Sequence, residues 1–228
     1  MTRTLTLRSI TPVTHDTNRL TFDRPDDLEY TPGQAAHMAL DQEGWRDEIR
    51  SFTMTSLPGE DQLEFVIKSY PEDDEDHGGV TARIGRLQPG DTVLVEDIWG
   101  YIKDKGDGVF IAGGAGVTPF IAILRDKLAR NGTLEGNTLV FSNKAERDII
   151  LRDSFEKMPG LKTCFIVTDE EDSPLHGREI DATLLKDHVT PGKDVCYVCG
   201  PDAMLDDISE ALQSIDVPED DIVMEQFD

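Results

Sequence analysis

The chain has 228 residues, 38% of them hydrophobic, and its 22 basic and 46 acidic residues give a formal net charge of −24. This length can hold two small domains or one large one. A surface this acidic repels nucleic acid and anionic membranes at ordinary salt, so we expect neither as a partner. The acidity also suits a halophilic protein, in which concentrated salt screens the self-repulsion; an acidic protein of ordinary salt is the alternative.

Nothing in the sequence indicates a membrane segment or a disulfide framework. No run reaches the roughly eighteen uninterrupted apolar residues of a membrane helix, and the first ten residues alternate like a strand. Three cysteines, Cys164, Cys196 and Cys199, fit a reducing compartment. We therefore expect a soluble, cytoplasmic protein. Cys196 and Cys199 form a C-x-x-C, but they lie in an apolar run typical of a buried strand, which favours packing over redox or metal chemistry.

Residues 1–105 are predicted to form an antiparallel β domain. Segments that alternate polar and apolar residues predict strands at 4–10, 19–23, 35–40, 49–56, 62–68 and 92–96. A helix is predicted at 80–87, directly after Gly78 and Gly79. Many short strands separated by turns favour an antiparallel barrel or sandwich.

Residues 106–228 are predicted to form an α/β domain. Strands at 109–112, 138–142, 163–168, 195–199 and 222–225 alternate with helices at 119–130, 149–158 and 202–215 and a short helix from 181. This alternation predicts a parallel sheet covered by helices on both faces. The pattern changes near 104–108, where we place the domain boundary.

The glycine-rich run GVFIAGGAGVTP at 108–119 predicts a phosphate cradle. A short apolar strand leads into a turn with Gly113, Gly114 and Gly116, and Pro119 opens the helix that follows. Backbone N–H groups and the helix dipole would face an anion there, most simply a pyrophosphate. Because Pro119 stands where G-x-G-x-x-G needs its last glycine, the run predicts a dinucleotide site of another type. A glycine-rich turn that binds nothing is the alternative.

Four motifs follow one another along the chain: RSFTMTS at 50–56, GGVT at 78–81, the glycine-rich turn at 113–119 and CGP at 199–201. Together they resemble those of the ferredoxin–NADP reductase superfamily of flavin-dependent oxidoreductases, over nearly the whole length. The resemblance implies a Greek-key β-barrel that binds flavin, followed by an α/β parallel-sheet domain that binds NAD(P)H. It also implies that the flavin is FAD, with FMN as the alternative.

The resemblance implies flavin contacts from the first two motifs. Arg50 would lie over the flavin diphosphate, and Thr53 would hydrogen-bond near N5, the atom that accepts hydride. Phe52 replaces the usual tyrosine, so an aromatic face is kept and a hydroxyl contact is lost. Thr81 and the N–H groups before it would hold the flavin pyrophosphate; simple helix capping is the alternative. The flavin-binding candidates are Arg50, Ser51, Phe52, Thr53, Ser56, Gly78, Gly79, Val80 and Thr81.

The resemblance implies nicotinamide contacts from the last two motifs. Gly114, Gly116 and Thr118 would hold the diphosphate and ribose of NAD(P)H. Cys199 would place the nicotinamide ring, because hydride passes directly between the cofactors and needs near-attack geometry. The dinucleotide-binding candidates are Gly113, Gly114, Gly116, Thr118, Pro119, Ser142, Lys144, Arg147, Gly200 and Pro201.

Residues 225–227 look like the acidic and aromatic segment that reaches the flavin in parts of the superfamily. Glu225 would then act near the flavin and Phe227 would pack on it; a frayed end is the alternative. With Thr53 and Cys199, Glu225 completes the set of catalytic candidates.

The choice between NADH and NADPH depends on a cation near the ribose 2′-phosphate. Lys144 and Arg147 follow the strand that ends at Ser142, but Glu146 and Asp148 sit among them. The sequence leaves both nucleotides open, with a lean to NADH.

These observations predict an NAD(P)H-dependent flavoprotein oxidoreductase that moves hydride to FAD and electrons to a separate acceptor such as ferredoxin or flavodoxin. One alternative is a flavin or ferric-siderophore reductase with a diffusible acceptor, and another is a flavin-binding electron-transfer subunit of a larger complex. No metal site is predicted, because the histidines are scattered along the sequence, without a cysteine or carboxylate at ligand spacing. They are His15, His37, His77, His176 and His188.

Overall fold

The computed structural model describes residues 2–73, 79–100, 102–177 and 179–224. Within them, the antiparallel strands of the first half are β1 (Arg3–Pro12), β2 (Thr17–Asp23), β3 (Ala35–Leu40), β4 (Arg50–Thr53), β5 (Gln62–Lys68) and β6 (Thr92–Trp99). Their order is β4-β3-β6-β1-β2-β5. A bridge between Met54 and Phe65 joins the two outer strands, so the sheet closes into a barrel. Because β6 returns to lie between β3 and β1, the order is a Greek key, and the predicted barrel is confirmed.

The barrel closes around apolar side chains that alternate along its strands. Leu5 and Leu7 of β1 point inward together with Phe22 and Phe65, whose rings meet edge to face at 6.0 Å between centroids. The short helix α1 (Val80–Ile84) contributes both its terminal side chains to this core. This inward and outward alternation is what the sequence pattern predicted.

The second half is a parallel sheet. Its strands are β7 (Gly108–Gly113), β8 (Thr138–Asn143), β9 (Lys162–Val167), β10 (Val195–Cys199) and β11 (Ile222–Met224), in the order β11-β10-β7-β8-β9. From β7 the chain extends first to one side, through β8 and β9, and then to the other, through β10 and β11. The reversal creates a switch point between the carboxyl ends of β7 and β10, which is where doubly wound sheets bind ligands.

Helices cover both faces of this sheet, which confirms the predicted α/β domain. They are α2 (Thr118–Asn131), α3 (Arg152–Glu156), α4 (Ala182–Lys186) and α5 (Asp202–Ser214). Along β7, Phe110 and Ala112 pack in the core with α2, whereas Val109 and Ile111 pack in the core with α5. None of the helices in the described ranges combines the length and apolar content that a bilayer crossing needs.

The segment after β8 departs from the helix predicted at 149–158. Ile149 is extended and buried, and Leu151 has a left-handed φ of 54°, so α3 begins only at Arg152. The buried side chain of Ile149 belongs to the core beneath α2 instead of to a helix face. The apolar pattern identified a buried segment but not its backbone conformation.

The barrel and the parallel sheet pack directly on each other. From α2, the guanidinium of Arg125 donates to the carbonyl oxygen of Thr55 in the barrel at 2.7 Å. Ile102, in the connection between β6 and β7, is fully buried in the core beneath α2. The boundary that we propose, between residues 105 and 106, falls within this connection.

Candidate functional site

Two loops meet at the carboxyl ends of β7 and β10. Gly113 ends β7 and leads into the 3₁₀ turn Gly114–Val117, while Gly200 follows β10. A Cβ atom on Gly116 would lie 2.3 Å from the carbonyl oxygen of Cys199 and 2.7 Å from the backbone nitrogen of Gly200. No side chain fits there, so glycine is required for the turn to touch the end of β10.

The outer side of the turn presents bare backbone. Gly114 has a left-handed φ of 51°, and a Cβ atom there would meet nothing within 4 Å. The Thr118 hydroxyl donates to the carbonyl oxygen of Ala115 at 3.0 Å, so this side chain fixes the turn. Pro119 is buried in the first turn of α2, a helix of 14 residues. A glycine-rich turn before a helix N-terminus is an arrangement suited to a phosphate.

The residues of the CGP motif continue from β10 into α5. Cys199 is fully buried in the core beneath α2, and Pro201 is the exposed residue directly before α5. Cys196 belongs to the opposite core, and burial raises the pKa of its thiol to about 12. Residues three apart in a strand are separated by about 10 Å, more than the roughly 7 Å that a disulfide spans. The C-x-x-C is therefore a pair of packing residues on opposite faces.

On the barrel, β4 presents its motif residues along a groove. Arg50 and Ser51 line an open depression of about 340 Å³ with His37, Ile49 and Trp99. The Arg50 guanidinium donates to the carbonyl oxygen of Ile49 at 2.8 Å, and its side chain is 30% exposed. The groove thus combines a cation with aromatic surface.

The other two residues of this strand motif are more enclosed. Phe52 is partly buried against the barrel core, and Thr53 is 4% exposed at the end of β4. Thr53 pairs with Ala35 of β3. Its backbone position is therefore fixed by the sheet.

The second barrel motif begins α1. Gly79 precedes the helix with a left-handed φ of 75°, and the next two residues, Val80 and Thr81, are buried. The Thr81 hydroxyl accepts a hydrogen bond from the backbone N–H of Tyr70 at 3.1 Å. One turn further, the Arg83 guanidinium lies 4.1 Å from the ring centroid of Trp45.

Ser56 lies apart from the groove. It is 1% exposed, its hydroxyl is 2.9 Å from the Tyr30 hydroxyl, and it accepts from the backbone N–H of Glu64 at 3.0 Å. These contacts give Ser56 a structural place inside the barrel, so its predicted cofactor contact stays a prediction.

The turn after β8 carries the residues predicted to select the nucleotide. Ser142 pairs with Gly113 across β7 and β8, which places this turn beside the glycine-rich one. Arg147 is 75% exposed, with its Nε 3.9 Å from a carboxylate oxygen of Asp148. The second oxygen of Asp148 accepts from the backbone N–H of Ala145 at 3.0 Å, so this carboxylate holds the turn.

Most of the remaining side-chain contacts of this turn involve carboxylates. Glu146 accepts from Arg152 at 2.6 Å, and Arg152 also donates to Glu156 at 3.0 Å. Hydrogen bonds from Ser173 and then Arg152 hold the pKa of Glu146 below its usual value. The Glu146 N–H donates to the carboxylate of Glu170 at 2.8 Å. Lys144 is exposed at the start of the turn.

Three predicted site residues, Gly78, Glu225 and Phe227, lie outside the described residues. Their contacts with flavin stay predictions. The described part of the chain reaches Met224, at the end of β11.

The expectation that the histidines have no carboxylate nearby is wrong for His15. Its imidazole lies between Asp16, at 3.6 Å, and Asp148, at 3.5 Å. The ligand atoms of these three residues lie within 4.8 Å of one another, but Asp16 is already 3.2 Å from the Lys68 ammonium. His15 belongs to the barrel and Asp148 to the turn after β8, so the contact spans the domain interface, which sequence spacing could not reveal.

Sequence reasoning also missed Asn143. It ends β8, it is 6% exposed, and neither atom of its carboxamide has a hydrogen-bond partner within the described protein. The predicted strand stopped at Ser142, which left Asn143 as a turn residue. The signal that could have found it is its position, because it follows a buried strand at the ligand-binding edge of the sheet.

Two family models match consecutive parts of the chain. "Oxidoreductase FAD-binding domain" matches residues 4–102, and "Oxidoreductase NAD-binding domain" matches residues 110–210. A solved structure of a ferredoxin NADP+ reductase from Neisseria gonorrhoeae, with bound FAD and NADP, is similar with a TM-score of 0.84. It is 20% identical, and the match covers 98% of each chain, which shows the fold.

Two relatives are similar to the chain in sequence. "NADH-cytochrome b5 reductase 2" of Mycosarcoma maydis is 27% identical over 90% of this chain, and the match spans 63% of the relative's own length. The reductase component of propane 2-monooxygenase of Mycolicibacterium smegmatis is 27% identical over 97% of this chain and 66% of its own length. The chain thus corresponds to about two thirds of each relative.

Proposed function

Because the chain belongs to the ferredoxin–NADP reductase superfamily of flavoprotein oxidoreductases, with an FAD-binding domain before an NAD-binding domain, we propose that it oxidises NADH and passes the electrons through bound FAD to a separate acceptor. The observation that carries this proposal is the bare glycine backbone at the carboxyl ends of β7 and β10, directly before α2. When bound, FAD accepts a hydride from the nicotinamide and releases electrons to the acceptor.

The residues present fit the two diphosphates. On the barrel, Gly79 has no side chain to block a phosphate, Thr81 is fixed beside it, and Arg50 supplies positive charge that suits charge-assisted hydrogen bonds. On the parallel sheet, Gly114 leaves open space above its backbone, and Gly116 leaves no room for a side chain. Both sets allow a diphosphate to approach the backbone closely and offer it hydrogen-bond donors.

The residues near the reacting atoms act by holding the two cofactors in position. Thr53 is buried and held in the sheet at the end of β4, and Cys199 is buried at the end of β10. We infer that Thr53 donates to the flavin near N5 and that Cys199 packs beside the nicotinamide ring. Direct hydride transfer needs alignment and exclusion of water more than an acid or a base. Burial of both residues supports this role.

NADH is favoured over NADPH by the charge of the turn after β8. A 2′-phosphate brings about two negative charges to a region where Glu146, Glu170 and Asp148 lie close to the backbone. Arg152 is already shared between two carboxylates, which leaves Lys144 and Arg147 as the cations of the turn. The free diol of NADH meets no such repulsion.

The acceptor is proposed to be a separate electron-carrying protein, such as ferredoxin or flavodoxin, with small molecules as the other class. The relatives named above are a cytochrome b5 reductase and a monooxygenase reductase component, and both names describe proteins that reduce another protein. A net charge of −24 opposes docking to an acidic carrier at low salt. We therefore expect faster reduction of such a carrier as the salt concentration rises.

The test is an anaerobic titration of the purified yellow protein with NADH and with NADPH in high salt, followed by flavin absorbance. Rapid bleaching by NADH and slow bleaching by NADPH are expected. A colourless protein, or flavin that neither nucleotide reduces, would overturn the proposal. The reduced protein is then mixed with ferredoxin, flavodoxin, free FMN and a ferric chelate at several salt concentrations, and the fastest reoxidation identifies the acceptor class.

A further inference from the structure

A hydrogen-bonded clamp, formed by Arg125, Thr55 and Glu60, joins α2 to the part of the barrel that follows β4. One nitrogen of the Arg125 guanidinium donates to the carbonyl oxygen of Thr55 at 2.7 Å, and another donates to a carboxylate oxygen of Glu60 at 2.5 Å. Both acceptors belong to the loop between β4 and β5. Because the guanidinium is a planar fork, two acceptors in one loop fix its orientation, and with it the position of this loop against α2.

The barrel holds both acceptors of the clamp in place. Thr55 is fully buried, and its N–H donates to the carbonyl oxygen of Glu64 at 2.8 Å, while its hydroxyl donates to the Glu64 carboxylate at 2.8 Å. The second carboxylate oxygen of Glu60 accepts from the N–H of Leu57 at 2.9 Å. A buried carbonyl oxygen needs a donor, and for Thr55 the donor comes from the other domain.

The clamp lies between the two proposed cofactor sites. Thr55 is two residues beyond Thr53, which we place near the flavin N5. Arg125 is seven residues beyond Thr118, about 10 Å along the axis of α2 at a rise of about 1.5 Å per residue. Thr118 in turn fixes the glycine-rich turn through its hydrogen bond to Ala115. Since α2 is one continuous helix, a shift of Arg125 against Thr55 moves the glycine-rich turn relative to Thr53.

Apolar contacts keep the two domains together whether or not the clamp is present. Val66 of β5 is buried in the core beneath α2. The loop before β3 is so close to α2 that a Cβ atom on Gly33 would lie 2.9 Å from Cδ1 of Ile123. The side chains of Arg125 and Glu60 are 32% and 40% exposed, and ion pairs with this exposure contribute little to stability. The effect of the clamp is therefore on the relative position of the domains more than on their stability.

From this arrangement we propose that Arg125 is a positioning residue for hydride transfer, which sets the nicotinamide against the flavin by fixing α2 to the segment that follows Thr53. This rests on the proposed function. Hydride transfer needs the reacting atoms about 3–3.5 Å apart, so a small displacement of one domain lowers the rate without lowering the affinity for either cofactor. Arg125 lies outside both sets of proposed cofactor contacts, so it acts through them.

The test compares R125A with the wild type, both loaded with FAD. We expect the limiting rate of flavin reduction at saturating NADH, measured by stopped flow, to fall about tenfold, since a misplacement of about 1 Å costs on the order of a hundredfold. The Kd of NAD+, measured on the oxidised protein by titration calorimetry, is expected to change by no more than about twofold. The change in flavin absorbance on NAD+ binding is expected to be smaller in R125A, because it depends on the overlap of the two rings.

Two further variants separate the effect of position from those of charge and stability. R125K keeps the positive charge but lacks the planar fork, so we expect a limiting rate between those of R125A and the wild type. R130A is the matched control on the same helix, because Arg130 donates to Asp104 and Asp126, neither of which belongs to the barrel loop of the clamp. It is expected to leave the limiting rate and the flavin absorbance change unaltered.

Three results would overturn the inference. If R125A is reduced at the wild-type limiting rate, the clamp is a packing contact only. If R125A loses flavin, Tm and NAD+ binding together, the residue is structural. If R130A slows reduction as much as R125A does, the contact with the barrel is not what matters. A wild type that neither NADH nor NADPH reduces would instead refute the proposed function.

Discussion

The two ends of the parallel sheet are built in opposite ways. At the amino end, a buried charge is fully paired: the Lys127 ammonium, 3% exposed, contacts Asp104 and Asp107 at 3.0 Å each and the carbonyl oxygen of Gly106 at 2.9 Å. The Tyr197 hydroxyl donates to that same carbonyl oxygen at 2.9 Å. These contacts attach the connection between the domains to the sheet.

At the carboxyl end, glycines take the place of side chains and a buried polar group lacks a partner. Gly114 leaves open space above its backbone, Gly113 and Gly116 pack closely against Met204 and Cys199, and the Asn143 amide has no partner in the described protein. The same strands thus carry stability at one end and, as we propose, ligand binding at the other. The difference predicts that mutations at the amino end lower the free energy of unfolding, whereas mutations at the carboxyl end weaken nucleotide binding.

The largest effect is expected from G116A. A Cβ atom at this position would lie 2.3 Å from the carbonyl oxygen of Cys199, so the turn must move away from β10. A displacement of about 1 Å in a site that aligns two cofactors costs on the order of a hundredfold in rate. We expect NADH-dependent flavin reduction, measured by stopped flow, to fall by about this factor, while the flavin content per protein stays unchanged.

G114A is the matched control for the glycine turn. A Cβ atom there meets no protein atom within 4 Å, so the cost to the fold is only that of a left-handed φ, about 1–2 kcal/mol. The methyl group would stand in the space proposed for the diphosphate, so we expect a modest loss of Tm, a weaker Kd of NADH, and a flavin reduction rate at saturating NADH within about tenfold of the wild type. If G114A and G116A behave alike, the turn does not depend on its contact with β10, and the account of the site given above is wrong.

At the amino end, the corresponding change is K127M. It removes the ammonium and leaves Asp104, Asp107 and the Gly106 carbonyl without their shared donor. Because the carboxylates are partly exposed, we expect a loss of about 1–3 kcal/mol in the free energy of unfolding, measured by urea denaturation. The Kd of NADH should not change. A variant that keeps its stability but binds NADH more weakly would contradict the division of roles between the two ends.

The exposed ion pair of Lys157 and Asp153 supplies the control for this prediction; its ammonium nitrogen and carboxylate oxygen are 3.4 Å apart. K157M removes the same charge from a surface where both side chains are about four fifths exposed. We expect the free energy of unfolding to change by less than about 0.5 kcal/mol. The comparison therefore isolates the effect of burial from that of charge.

The sequence predicts the features that depend on local patterns better than it predicts the contacts between distant residues. Local signals such as the alternation along β1 and the glycines at 113–116 predicted the barrel and the parallel sheet with its glycine-rich turn. Contacts between distant residues could not be predicted, so the pairing of Lys127 with Asp104 and the meeting of His15 with Asp148 were missed. Asn143 was missed for another reason: at the end of a strand a polar residue is typical of a turn, and only its burial distinguishes it.

As the pH falls, we expect the amino end of the sheet to lose stability before nucleotide binding is affected. Burial raises the pKa of Asp104, but hydrogen bonds from Arg130 and Lys127 outweigh this and hold it below the usual value. The Lys127 hydrogen bond also lowers the pKa of Asp107. A carboxyl group whose pKa is lowered by folding stabilises the protein above its unfolded pKa of about 3.9, and this contribution is lost as the pH falls through the folded value.

We therefore expect the free energy of unfolding to fall steeply below about pH 4, measured by urea denaturation at closely spaced pH values. In K127M the slope should be smaller, because Asp104 and Asp107 lose a donor that lowers their pKa values. Equal slopes in the two proteins would show that acid sensitivity arises elsewhere in the chain, for example at Asp16, whose pKa is also lowered.

The smallest effect is expected from H15A, which tests whether the barrel helps to place the turn after β8. His15 is 45% exposed and reaches Asp148 at 3.5 Å, so its contribution to stability is at most about 1 kcal/mol. Asp148 keeps the turn closed through the Ala145 N–H whether or not His15 is present. We therefore expect the Kd of NADH to change by no more than about twofold at pH 7. A tenfold increase would mean that the barrel, as well as the strands of the sheet, organises the carboxyl end. The two ends would then differ in which domain supplies their contacts, because the Lys127 contacts are made within the connection and the parallel-sheet domain.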